Sequence, residues 1–280
     1  MILDSDSPVM LLCAAAALAY AAPALGARAL GVTGARRVLI AAWALHALFI
    51  AWMLLVRQPL RFGWATALSA TVWLMLTVYG IESRIYPQMR AQQAHLPLRW
   101  ATAVAGVAVI ALALVFPGDH LPATTSPLLL LHGALGIAAY GLFAAAVAHA
   151  LILSRAEARM RHATLAPDGA TSGLPLLKQE RLMFGFVWMG FALLTLTLVA
   201  GMFFGEQLYG AEHLGWRWDH KRVFTLLSWL VFAALLAGRS LLGWRGRRAV
   251  RVLYTGAALL LLGYVGSRFV LEVLLGRVTG

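Results

Sequence analysis

Residues 215–221 read Gly-Trp-Arg-Trp-Asp-His-Lys, so two indoles, an acid, an imidazole and an ammonium fall together at the entrance to an apolar run. If this stretch is extended, Trp216 and Trp218 point to one side, and Asp219 and His220 follow directly. Such a pair can form an aromatic floor for a flat apolar ligand, and it equally suits the aromatic belt that anchors helices at headgroup level. Three further histidines lie within apolar runs. His132 stands near the start of one, in Leu131-His132-Gly133, and His149 is on the same run. Helix rise would separate these two by ~25 Å, too far to share one metal ion. His46 sits mid-run in Ala44-Leu45-His46-Ala47-Leu48, where lipid penalises an ionisable group and turns it toward other helices. A buried ligand, a proton-handling group and a hydrogen-bonded imidazole are its open readings. Arg268 and Glu272 are four apart and can pair on one helix face. The Arg268 guanidinium can also clamp a carboxylate, such as Asp219 or one on a ligand, or snorkel to headgroups.

The elements that must position these groups are set by composition. Of 280 residues, 61% are apolar and 12% charged, a balance suited to lipid as solvent. A spanning helix needs about 20 apolar residues. Such windows occur at about 9–25, 38–56, 62–81, 98–116, 128–153, 182–204, 223–242 and 252–275, with the tryptophan-rich outer segment at 205–222. The expected fold is therefore all-α: a polytopic bundle of about eight transmembrane helices forming one integral membrane domain over residues 1–280. With both termini extracytoplasmic, sixteen of the 23 Lys and Arg fall on the cytoplasmic side, as the positive-inside rule requires. The segment from Ser154 to Arg181 carries Pro167-Asp168-Gly169 and Thr171-Ser172-Gly173 and reads as a flexible connector.

Several function classes fall away. The formal charge of +12 is dispersed between spans rather than gathered on one face, which argues against a nucleic-acid partner. A single cysteine, Cys13, excludes Cys-pair redox and Cys-rich zinc chemistry within the chain. The first residues carry Asp4 and Asp6 and no basic n-region, so the first apolar segment is expected to be retained rather than cleaved. Neither a phosphate-loop motif nor an HExxH zinc motif occurs. The methionines within the spans read as packing.

Trp216-x-Trp218-Asp219-x-Lys221, followed by an apolar run containing Trp229, resembles the tryptophan-rich segment of the cytochrome c assembly family, which includes CcsA and CcmC proteins. Gly173-Leu174-Pro175-Leu176-Leu177, Glu180-Arg181-Leu182, the Gly243–Arg248 stretch and Gly266-Ser267-Arg268-Phe269 look like its shorter, YpjD-like inner-membrane branch. The likeness is good from about Leu128 onward and loose before it. It implies a haem-binding surface on the outer membrane face, built on the tryptophan segment and flanked by histidines. His132 matches one of those histidines, and Tyr140, eight residues on, keeps the family pattern. The chain departs from it where Glu212 and His213 replace Trp-Gly, where Ala237 aligns with a histidine, and where Arg57 falls near another. No counterpart of the last external histidine occurs around Val265 to Glu272.

Haem iron takes axial ligands such as His, Met, Cys or Tyr, and a bis-His site needs two imidazoles from opposite faces. His132 and His220 are the candidate iron ligands, with helix packing and a solvated loop as their respective alternatives. Trp216, Trp218, Asp219 and Arg268 complete the candidate haem-binding set, and Lys221, Arg222 and Arg61 are alternative propionate partners. The resemblance implies a multi-pass protein of the bacterial inner membrane that holds or passes haem without itself making or breaking bonds. Its partners would be lipid, haem and cytochrome c maturation proteins. A second reading is a haem-free accessory or regulatory subunit of a divalent-cation transporter, which the missing histidines favour. A third, an electron carrier within the bilayer, would need His pairs at bundle depth that the spacing does not supply.

Overall fold

The computed structural model describes residues 7–56, 61–86, 96–120, 127–163, 175–203 and 220–270. Eight of its helices are long and apolar enough to cross a membrane, so the chain is a multi-pass helical membrane protein. Two compact units divide it, residues 1–123 and 124–279, and each has its own packing.

The first unit contains α1 (Ser7–Leu25), α2 (Ala27–Ala51), α3 (Trp64–Ile85) and α4 (Leu96–Val115). Because lipid tails are as apolar as leucine, burial of apolar surface cannot select the face that packs inward. Size and polarity select it instead. Along α1, Val9, Cys13, Ala16 and Tyr20 recur at helical spacing and are buried, while Leu11, Leu18 and Leu25 point outward. Tyr20 lies against Gly106 of α4, where an added Cβ would stand 2.6 Å from the ring. The helix α2 is broken near its start, where Gly31 has φ +58, and it ends in a π-helical turn, Trp52–Val56.

Just beyond the helices, two short strands pair antiparallel: β1 (Arg61–Phe62) with β2 (Asp119–His120), in register Phe62 to Asp119. The chains cross so closely that Gly118, at φ +87, would carry a Cβ 2.4 Å from the Gly63 nitrogen. Only glycine suits both that conformation and that approach. The pairing fixes the segment between α2 and α3 to the one after α4, which hydropathy cannot foresee.

The second unit contains α5 (Pro127–Ala163), α6 (Leu176–Phe203), α7 (His220–Leu242) and α8 (Gly246–Leu261). A π-helical stretch, Leu262–Gly266, and a last turn, Ser267–Phe269, continue α8. Antiparallel α5 and α6 pack along most of their length: Gly190 admits the Phe143 ring, Gly136 meets Thr197, and Gly201 lies beside His132. Phe143 stacks on Phe232 of α7 with centroids 3.8 Å apart, and Gly256 of α8 gives Phe232 its space. The Ser228 hydroxyl donates to the Gly256 carbonyl at 2.8 Å, joining α7 to α8.

Helix α5 runs ten residues past the expected Leu153, and α6 begins six residues before the expected Leu182, so the connector is shorter than its turn residues suggested. The added turns, rich in Ala, Arg, Glu, Met and Leu, are strong helix formers that extend the spans out of the apolar region. One product of this extension is Glu180, buried one turn into α6 and bonded to Arg239 of α7 at 3.2 Å. The Arg239 guanidinium also lies over the Phe184 ring at 4.7 Å and donates to the Trp244 carbonyl.

Candidate functional site

Both units carry histidine, and they treat it differently. In the first, His46 of α2 is fully buried. Its Nδ1 is 3.1 Å from the Tyr20 hydroxyl of α1, and its Nε2 is 2.8 Å from the Ser69 hydroxyl of α3. Three helices therefore meet on one imidazole, both of whose nitrogens are engaged. One turn before His46, Trp43 stacks on Trp73 at 5.3 Å, donates its indole N–H to the Thr77 hydroxyl at 2.7 Å and accepts at its carbonyl from the Trp73 indole. Of the three readings open for His46, the geometry matches the hydrogen-bonded imidazole.

In the second unit, the end formed by the start of α5, the end of α6, the start of α7 and the π-helical stretch after α8 gathers the chemistry. His132 stands in the second turn of α5 and is half-buried. Its ring edge faces Gly201, whose Cβ, if present, would lie in van der Waals contact, 3.5 Å from the His132 Cε1. Lys221 of α7 acts on His132 electrostatically and sits over the Tyr264 ring at 5.0 Å. The π-helical stretch makes this seat: Gly263 lets it approach the first turn of α7, where an added Cβ would be 3.1 Å from the Thr225 hydroxyl oxygen. Such local π-turns frequently occur at functional sites because they redirect side chains without ending the helix.

Deeper in the same unit, aromatic groups are fixed by polar bonds. The Tyr140 hydroxyl donates to the Leu260 carbonyl, tying α5 to α8. Tyr140 lies eight residues after His132, on roughly the same face of α5. Trp229 donates its indole N–H to the Thr195 hydroxyl at 2.9 Å and stacks on Phe191 at 5.4 Å. Sequence reasoning marked Trp229 and Tyr140 but supplied no partner for either. The partner of Tyr140 is a main-chain carbonyl, which has no residue-type signature.

Of the expected site residues, His132 is at this end, and His220 is the first residue of α7, exposed, next to Lys221. Trp216, Trp218 and Asp219 lie outside the described residues, as does Glu272. Arg268 falls in the last turn, Ser267–Phe269, with its side chain outside what is described. His149 is buried on α5 and stacks on Phe186 at 5.4 Å, well away from His132 along the helix. Among the described residues, no cluster of three or more His, Cys, Asp or Glu could hold a bare metal ion. Haem is compatible with the residue types present: one half-buried imidazole, a cation within electrostatic reach of it, and apolar surroundings.

Comparison with known proteins shows which family the chain resembles. The profile of the cytochrome C assembly protein family matches residues 37–275. Inner membrane protein YpjD of Escherichia coli (strain K12) is 35% identical over 182 residues, which cover 64% of this chain and 65% of that protein. Cytochrome c biogenesis protein CcsA of a Synechococcus strain is 32% identical over 113 residues, 38% of this chain and 31% of that protein. CcsA of Gloeobacter violaceus is 30% identical over 115 residues, 39% of this chain and 33% of that protein. The chain thus spans less than two thirds of the length of these relatives. No solved structure matches significantly. With the profile covering most of the chain, including all the helices that build the His132 end, the chain belongs to the cytochrome c assembly protein family.

Proposed function

We propose that the protein is a haem-handling inner-membrane protein of cytochrome c biogenesis, holding haem at the extracytoplasmic face on the His132 end of its second unit. The observation that carries the reading is the His132 imidazole, half-buried against side-chain-free Gly201 and flanked by the Lys221 ammonium. His46 bridges two hydroxyls deep in its span, whereas His132 lies near a helix end within electrostatic reach of a cation.

In this reading His132 and His220, the first residue of α7, would hold the haem iron. Lys221 neutralises a propionate, with Arg268 and Arg222 as further cations at that end. Trp216 and Trp218 would offer indole faces to the ring, and Asp219 a carboxylate for the basic groups. Tyr140 and Trp229, each locked by a hydrogen bond, keep α5, α6, α7 and α8 from closing on the site. Bound haem would supply an iron centre and a flat apolar face, and the residues around it only bind and orient. The protein is accordingly read as a holder rather than an enzyme, with bond formation to a cytochrome left to maturation partners.

The test is the visible spectrum, oxidised and reduced, of protein purified in mild detergent from haem-replete cells. A stoichiometric Soret band that disappears in His132→Ala, in protein that remains folded, is the expected result, and His220→Ala should shift the band. No band in folded wild-type protein would overturn the reading in favour of a haem-free accessory of a divalent-cation transporter.

A further inference from the structure

In the first unit, a shallow cleft is lined by Pro23 of α1, Val32, Arg36 and Leu39 of α2, Tyr79 of α3, and Leu98, Arg99 and Thr102 of α4, with Ala35 beside them. Among the described residues its polar groups are two guanidiniums and two hydroxyls. Arg99 is 92% buried, at 8% exposure, an unusual position for a cation in a membrane helix. It donates to the Pro23 carbonyl at 3.4 Å, one of the carbonyls that the end of α1 leaves without a helical partner. Five N–H donors in a planar fork suit Arg for bidentate contact with a phosphate.

Depth identifies the class of ligand. Arg99 is three residues into α4 and Pro23 two residues from the end of α1, which places both within ~5 Å of the helix ends, at headgroup level. The remaining walls, Val32, Leu39 and Leu98, are apolar, and outward-facing Leu25 and Val104 continue apolar surface from the same helices. A ligand with an anionic head and an apolar tail matches both halves. We propose that this cleft is a binding site for an anionic phospholipid, whose phosphate meets Arg36 and Arg99 and whose acyl chains lie on the outer faces of α1 and α4. Basic pockets between transmembrane helices bind anionic headgroups on the same principle, with the local field strengthened by the low dielectric around them. The site is separate from the haem reading, and neither depends on the other.

The experiment is native mass spectrometry of the delipidated full-length protein titrated with phosphatidylglycerol or phosphatidylcholine, with inorganic phosphate alone as a further arm. The expected result is one retained phosphatidylglycerol, preferred about tenfold over phosphatidylcholine, the factor that ~1.4 kcal/mol represents. Arg99→Gln and Arg36→Gln should each remove that preference. Leu39→Trp should lower occupancy by filling the cleft while keeping both cations, which preserves the test if Arg99→Gln does not fold. Arg247→Gln, an exposed arginine of the second unit, should change nothing. Equal loss in Arg247→Gln would reduce the effect to general surface charge and overturn the assignment. So would unchanged retention in Arg36→Gln and Leu39→Trp, or retention of inorganic phosphate with no preference between the two lipids.

Discussion

His46 and His132 are the same residue in similar apolar sequence contexts, yet one bridges three helices deep in its unit and the other lies half-buried near a helix end. At His46 three helices converge, and the ring bridges two hydroxyls. At His132 the facing helix brings Gly201 against the ring edge, and the Lys221 ammonium is within electrostatic reach. A membrane bundle must satisfy its interior polar groups internally, because no water competes for them. A histidine whose neighbours supply two hydroxyls therefore serves cohesion, and the proposed haem role of the other is what the variants below test. The contrast shows that the neighbours, more than the histidine, specify its role.

The strongest way to break the comparison is at His46. His46→Leu would leave the Tyr20 and Ser69 hydroxyls buried without their partner, at a cost of about 2–4 kcal/mol for the pair. The expected outcome is a clear fall in thermal midpoint in detergent, with the Soret band of the folded fraction kept. Loss of that band from protein with an unchanged midpoint would reverse the two assignments.

Overpacking the second unit comes next. Gly256→Val places a Cβ 2.7 Å from the Phe232 ring, which is stacked on Phe143 and has little room to move. We expect destabilisation of about 1–3 kcal/mol, since well-packed interiors resist added methyl groups. Because α8 leads into the π-helical stretch beneath Lys221, haem retention should fall with stability here, unlike in His46→Leu. Paired thermal and spectral measurements on the two variants would show whether the effects separate.

Trp229→Phe is milder. It removes the 2.9 Å bond to Thr195 and keeps most of the stacking on Phe191, so about 1 kcal/mol should be lost. Trp229→Phe with Thr195→Val forms a double-mutant cycle whose coupling term should account for most of that loss. A coupling term near zero would mean that the indole N–H contributes nothing to the rigidity of this wall.

The eight spans were legible in the sequence because lipid demands long apolar helices of uniform length, and that demand is written in composition alone. The ends were less so. Arg155 and Glu157 look like loop residues to a hydropathy window, yet they belong to a helix that continues beyond the apolar region on its own propensity. The β1–β2 pairing and the π-turns left no hydropathy signal, because main-chain bonds set them. At the sites, residue type marked His46 and His132 as notable without distinguishing them. Tyr20 and Ser69 lie 26 and 23 residues from His46 in the chain, and only packing brings them together. Glu180 was visible only as part of a family-like motif, and its ion pair with Arg239 links residues 59 apart.

The smallest expected effect concerns Lys221, and it tests whether the His132 end is electrostatically built for an anionic ligand. Lys221 is exposed and lies over Tyr264, so its charge is partly screened and its contribution to binding should be modest. Lys221→Gln should weaken haem retention by roughly threefold at low salt and leave the thermal midpoint unchanged. The more telling readout is ionic strength. If the ammonium meets a propionate, raising salt toward 1 M should shrink the difference between variant and wild type, because screening removes an attraction that the variant already lacks. A difference that persists undiminished at high salt would assign Lys221 to packing against Tyr264, and the neighbouring Arg222 would become the cation to substitute next.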